Sequence, residues 1–92
     1  MKQFLFPAIF YKEEDKYIVL FPDLNVTVEA ETCEEAFLFA KDSLKVYCSY
    51  TEKFDLELET PSTFENVQQK NPKNLCMLID CFVMPNGIKI WW

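Results

Sequence analysis

The sequence predicts an α+β fold: a mainly antiparallel sheet crossed on one face by one long helix, with a short second helix elsewhere. Three observations lead there. Two apolar runs, 3–11 and 17–21, flank the charged stretch Lys12-Glu13-Glu14-Asp15-Lys16. A threonine–glutamate pair opens an amphipathic stretch after Thr32, and residues 74–84 form the most hydrophobic run of the chain.

Residues 3–11 read as a first strand, rich in Phe and Ile. Pro7 has no amide donor, so it is expected at a bulge or facing away from a neighbouring strand. Residues 17–21 complete a hairpin across the charged turn. In Phe21-Pro22-Asp23-Leu24, proline sets φ for the next turn, and the Asp23 carboxylate is expected to bond the backbone two residues on. A third strand over 26–31 alternates Val26, Val28 and Ala30 with Thr27, Glu29 and Glu31, which predicts one buried face and one wet face.

Thr32 caps the long helix, expected over 33–50. Its hydroxyl can accept the free amide of Glu35, and the Glu35 side chain can reach back to the Thr32 amide. Glu34 and Glu35 also suit the positive end of the helix dipole. Cys33, Ala36, Phe37, Ala40, Leu44, Tyr47 and Cys48 fall on one stripe, with Lys41, Asp42 and Lys45 opposite. Phe39, Val46 and Tyr50 widen the apolar stripe, and Leu38 falls among the charges and is expected to be exposed.

Phe54, Leu56 and Leu58 alternate with acidic residues, which fits either a short edge strand or an extended connection. Ser62-Thr63-Phe64-Glu65 repeats the capping-box spacing and predicts a short helix from 63 to 70, ended by Pro72. In the strand at 74–84, Leu75, Met77, Ile79 and Cys81 share one side, while Cys76, Leu78, Phe82 and Met84 lie elsewhere. Pro85-Asn86-Gly87 signals a turn, after which Ile88-Lys89-Ile90-Trp91-Trp92 can return as a last strand.

Composition bounds the function. The chain has 92 residues, half of them hydrophobic, and a single glycine, which fits one domain over residues 1–92. Its formal charge is −6 and it contains no arginine, so it repels phosphate backbones and lacks the residue best suited to bidentate phosphate or guanine contacts. Direct nucleic-acid binding is not expected, and neither is a membrane span, since no apolar run is long enough. Cys33, Cys48, Cys76 and Cys81 lack metal-site spacing, and there is no histidine. With no leader-like N-terminus, they read as reduced thiols of a cytoplasmic protein. The absence of histidine and of a glycine-rich loop argues against acid–base and phosphate chemistry, and no cofactor is expected. One catalytic option is a magnesium site built from Asp23, Glu35 and Asp80, although each has a simpler role in a turn, a cap or a strand.

Phe6-Pro7-Ala8-Ile9-Phe10, the acidic turn, Phe21-Pro22-Asp23-Leu24 and Thr32-Cys33-Glu34-Glu35-Ala36 together resemble the N-terminal domain of HicB-type antitoxins. That family's pattern reads approximately YPAVF, acidic turn, strand, FPDL, strand, T-x-E-E-A. The family's Pro-Gly-Cys after the FPDL turn is replaced here by Asn25-Val26-Thr27. The resemblance implies a partial RNase H-like fold without the nuclease's catalytic residues, with sheet order third, second, first, last. On that plan the first and last strands are expected to run parallel through a right-handed crossover. Full-length members neutralise a small basic RNA-cleaving toxin of HicA type by covering its active face. Many also carry a C-terminal DNA-binding domain, which nothing after residue 74 resembles.

The expectation is therefore a non-enzymatic, antitoxin-like protein-binding module whose partner is a small basic RNase. The alternatives are a stand-alone interaction domain with another partner and a metal-dependent RNase H-like nuclease. The wide apolar flank of the helix, the two-sided strand at 74–84 and the terminal tryptophans predict a homodimer. The candidate partner-facing residues are Leu38, Phe39, Ile90, Trp91 and Trp92.

Overall fold

The computed structural model describes residues 2–83. Its elements are β1 (Lys2–Lys12), β2 (Tyr17–Phe21), β3 (Val26–Ala30), α1 (Cys33–Lys53), α2 (Phe64–Lys70) and β4 (Leu75–Val83). The strands form one sheet in the order β3-β2-β1-β4, as expected. The expected turn at 85–87 and returning strand at 88–92 lie outside the described residues, as do Ile90, Trp91 and Trp92.

Side-chain alternation divides the sheet into two faces. On one face Phe6, Ala8 and Phe10 of β1, Val19 and Phe21 of β2, and Ile79, Cys81 and Val83 of β4 meet Ala36, Ala40, Leu44 and Cys48 of α1. The small residues Ala36 and Ala40 let the helix backbone approach the sheet, while Phe6 and Leu44 fill the space between. Full burial of a side chain of that size stabilises by about 1.5–3 kcal/mol. On the other face α2 covers only one end, through Val67 against Ile9 and Cys76 with Tyr11, Leu20 and Phe64 alongside. The β1–β2 register runs from Ile9 to Lys12, so Pro7 lies beyond it, where β1 has a strand neighbour only on the β4 side.

The direction of β4 corrects the sequence-based expectation. It runs antiparallel to β1, from Phe10↔Leu75 at one end to Lys2↔Val83 at the other. The cause is the connection. Helix α1 ends beside the start of β1, where Lys2 Nζ lies 3.0 Å from Glu52 Oε1. A strand entered from there would have run parallel to β1. Instead, residues 54–63 pass around that end of the sheet, from Leu58 on the α1 side to Phe64 on the other. Helix α2 then carries the chain back along the second face before β4 begins. Traversing the sheet length once more reverses the last strand.

Two further differences are local. Helix α1 continues to Lys53 and closes with Asp55 N–H to Glu52 O (3.3 Å) and Leu56 N–H to Thr51 O (2.9 Å). That is the Schellman arrangement, with Asp55 at φ 51° where glycine is usual. Residues 54–59 therefore form a helix end and an extended connection. The cap of α2 is Thr63, whose hydroxyl accepts Asn66 N–H at 3.2 Å, because the Ser62 hydroxyl is engaged elsewhere.

Candidate interaction surface

The helix cap that orients α1 forms at Thr32, whose hydroxyl accepts Glu35 N–H at 3.1 Å and donates to Glu35 Oε1 at 3.2 Å. The Glu35 side chain thus reaches the hydroxyl and not the Thr32 amide. From this start α1 presents two apolar surfaces beyond its buried stripe.

The first is a stripe at helical spacing along the side nearer β3: Phe39, Val46, Tyr50 and Phe54 are 46%, 61%, 57% and 53% exposed. Ser43, Val46 and Tyr47 border a groove against Val26 at the start of β3. The Tyr50 and Phe54 rings lie 4.7 Å apart, which keeps the last two members of the stripe together. Exposed Glu35 and Asp42 give the N-terminal half of the stripe an acidic margin, while the Lys53 ammonium lies 5.8 Å from the Phe54 ring centre at its other end. An apolar strip edged by carboxylates suits a partner with apolar contacts and basic surroundings.

The second surface is a cleft of about 370 Å³ at the N-terminal end of α1, lined by Phe10, Cys33, Glu34, Phe37, Leu38 and Met77. Leu38 is exposed as expected, but it belongs to this cleft. One helical step of about 100° separates it from Phe39. The structure therefore does not bring Leu38 and Phe39 into one patch. Phe54 joins the stripe because α1 runs past residue 50. The 39, 43, 46, 50, 54 spacing carries that signal, but the alternation of 54–59 imitates a strand.

Outside α1, Leu5, Leu78 and Phe82 are each about half exposed on the sheet face that α2 leaves open. Among the described residues β4 is an edge strand, and Lys41 guards it. The Lys41 ammonium donates to Asp80 Oδ1 at 2.7 Å and to the Asp80 carbonyl at 3.0 Å, while Gln3 Nε2 donates to Asp80 Oδ2 at 3.3 Å. A lysine occupying an edge carbonyl hinders pairing with another strand. The same ammonium, then the Gln3 amide, hold the Asp80 carboxyl below the usual carboxylate range.

The three carboxylates of the nuclease alternative are engaged separately. Asp23 accepts two hydrogen bonds from Ser62, Glu35 one from Thr32, and Asp80 is held by Lys41 and Gln3. Among the described residues no three His, Cys, Asp or Glu side chains converge as a metal site would require. No helix there is long and apolar enough to cross a membrane.

No protein-family model matches the sequence, and no curated protein matches it. Two solved structures share its fold. The antitoxin HicB of Burkholderia pseudomallei superposes with a TM-score of 0.72 at 21% identity, over 82% of this chain and 59% of that one. A chain of a toxin–antitoxin complex from Streptococcus pneumoniae superposes with a TM-score of 0.71 at 20% identity, over 86% of this chain and 69% of that one. The chain therefore spans a little over half the length of the Burkholderia antitoxin.

Proposed function

We propose, taking the HicB antitoxin fold as the premise, that this chain is a non-catalytic, antitoxin-like binding module that neutralises a small basic RNase of HicA type. The observation that carries the reading is the exposed Phe39–Val46–Tyr50–Phe54 stripe with its acidic margin, set on a fold shared with an antitoxin and with a chain of a toxin–antitoxin complex. The formal charge of −6 favours encounter with a cationic protein, and half-exposed aromatics supply the contact area that holds it. The 92 residues act as one domain, in the cytoplasm, and pair as a homodimer.

Mixing the purified chain with a HicA-type RNase tests this directly. Co-elution in size-exclusion chromatography and loss of RNA cleavage at a stoichiometric ratio are the expected results. Independent migration of the two proteins with undiminished cleavage would overturn the proposal. Sedimentation of the chain alone at micromolar concentration decides the homodimer.

A further inference from the structure

Two thiols meet between α1 and β4. Cys48 is fully buried and Cys81 is 3% exposed, both within the helix–sheet core, and neither is in a disulfide. Both belong to the core where α1 packs on β4, and each thiol is the main electrostatic influence on the other. The pair is not sealed. Cys81 lines a surface cleft of about 270 Å³ between α1 and β4, together with Lys41, Asp42, Lys45 and Phe82. Cys76, by contrast, sits in the second apolar cluster with Ile9 and Val67, where burial pushes its thiol up.

We propose that Cys81 and Cys48 are a peroxide-responsive dithiol, in which Cys81 reacts from the cleft and Cys48 resolves it to a disulfide that fastens α1 to β4.

The two sulfurs have different environments, and that divides their roles. The interaction with Cys48 lowers the Cys81 thiol first, burial and the Asp80 carboxylate oppose it, and the charges of Lys41 and Lys45 add to the lowering. The same contact, with burial, raises Cys48. Of the two, Cys81 is the one that lines the cleft, so it is the one a peroxide can reach, and its thiolate is the nucleophilic form. The Cys81 thiolate attacks one oxygen of hydrogen peroxide and the O–O bond breaks. One oxygen stays on sulfur as a sulfenic acid, and the other leaves as water after taking a proton. The Cys48 sulfur then displaces the hydroxyl, forming the S–S bond and breaking the S–O bond. Its thiol proton leaves with that hydroxyl as a second water. Two thiols have lost two electrons in all, and one peroxide has become two waters. The closed bridge sets the two sulfurs about 2.05 Å apart.

Treating the folded chain with a small excess of hydrogen peroxide, alkylating the remaining thiols and digesting without reductant tests the pair. The expected product has no disulfide between chains, has two free thiols instead of four, and yields a Cys48–Cys81 linked peptide that dithiothreitol releases. Cys48→Ala should accumulate a dimedone-reactive sulfenic acid on Cys81, and Cys81→Ala should leave Cys48 unmodified. The proposal is overturned if the linked peptide forms only in urea, or if peroxide is consumed at Cys33 while Cys48 and Cys81 stay reduced. Should either variant fail to fold, the peptide map of the wild-type chain decides alone.

Discussion

Asp23 holds Ser62 with both carboxylate oxygens: Oδ1 accepts the Ser62 hydroxyl at 2.6 Å and Oδ2 accepts the Ser62 amide at 2.9 Å. The bonds join the β2–β3 turn to the residue just ahead of the α2 cap, where the chain has passed from one face of the sheet to the other. The local turn needs no help from that carboxylate, since Leu24 N–H and Asn25 N–H already bond the Phe21 carbonyl at 3.2 and 2.9 Å. Asn25 takes φ 55° there, a conformation asparagine tolerates.

Replacing Asp23 should therefore loosen the 54–63 connection and leave the hairpin intact. A hydrogen bond to a charged group contributes about 1.5–3 kcal/mol, and this site is partly exposed, so Asp23→Ala is expected to cost about 1–2 kcal/mol. Urea denaturation measures it, with amide exchange showing the loss concentrated at residues 60–66. An unchanged midpoint would show that the clamp adds nothing.

Asp55 occupies a left-handed position with φ 51° at the end of α1, where a Cβ is unfavourable. Asp55→Gly should stabilise the chain by about 0.5–1 kcal/mol by relieving it, while Asp55→Val should destabilise it. Thermal melts of the two variants beside the wild type give the comparison. A lower Tm for the glycine variant contradicts the Schellman assignment.

Asp80 gives the fold an acid-sensitive contact. Its carboxyl is held low by Lys41 first and Gln3 second, so the folded state binds fewer protons there than the unfolded chain. The stability it adds is fully present above the unfolded carboxylate pKa of about 3.9 and is lost as pH falls through the lower folded value. Asp80→Asn should unfold at lower urea than wild type at pH 7, and the two midpoints should converge on acidification below about pH 4. The side chains of the pair are 42% and 35% exposed, so salt should narrow the gap at neutral pH. A gap that persists unchanged at pH 3 would assign the effect to packing.

Phe39 and Val46 test the exposed stripe. The double variant Phe39→Asp, Val46→Asp should keep a Tm close to wild type, because both side chains are about half exposed or more. Its affinity for a HicA-type RNase should fall about tenfold or more, since apolar anchors carry most of an interface's energy. Leu38→Asp, on the separate N-terminal cleft, is the comparison. A larger loss from Leu38 would move the contact surface to that cleft.

What the sequence alone determined lies within short windows. The charged turn between apolar strands, the alternation over 26–31, the Thr32 cap and the stripe Ala36, Ala40, Leu44 and Cys48 each depend on residues a few positions apart, and each is present in the structure. The motif resemblance, also local, supplied the strand order β3-β2-β1-β4. Only the tertiary structure decided what depends on the path of the chain. The direction of β4 follows from α2 making an extra traverse, and the partner of Asp23 lies 39 residues away in sequence. The cleft that Leu38 shares with Phe10 and Met77 depends on what the sheet presents beside α1, and the neighbouring of Cys48 and Cys81 depends on how α1 settles over β4. Periodicity records which face of an element is apolar, but it does not record which distant residue that face will meet.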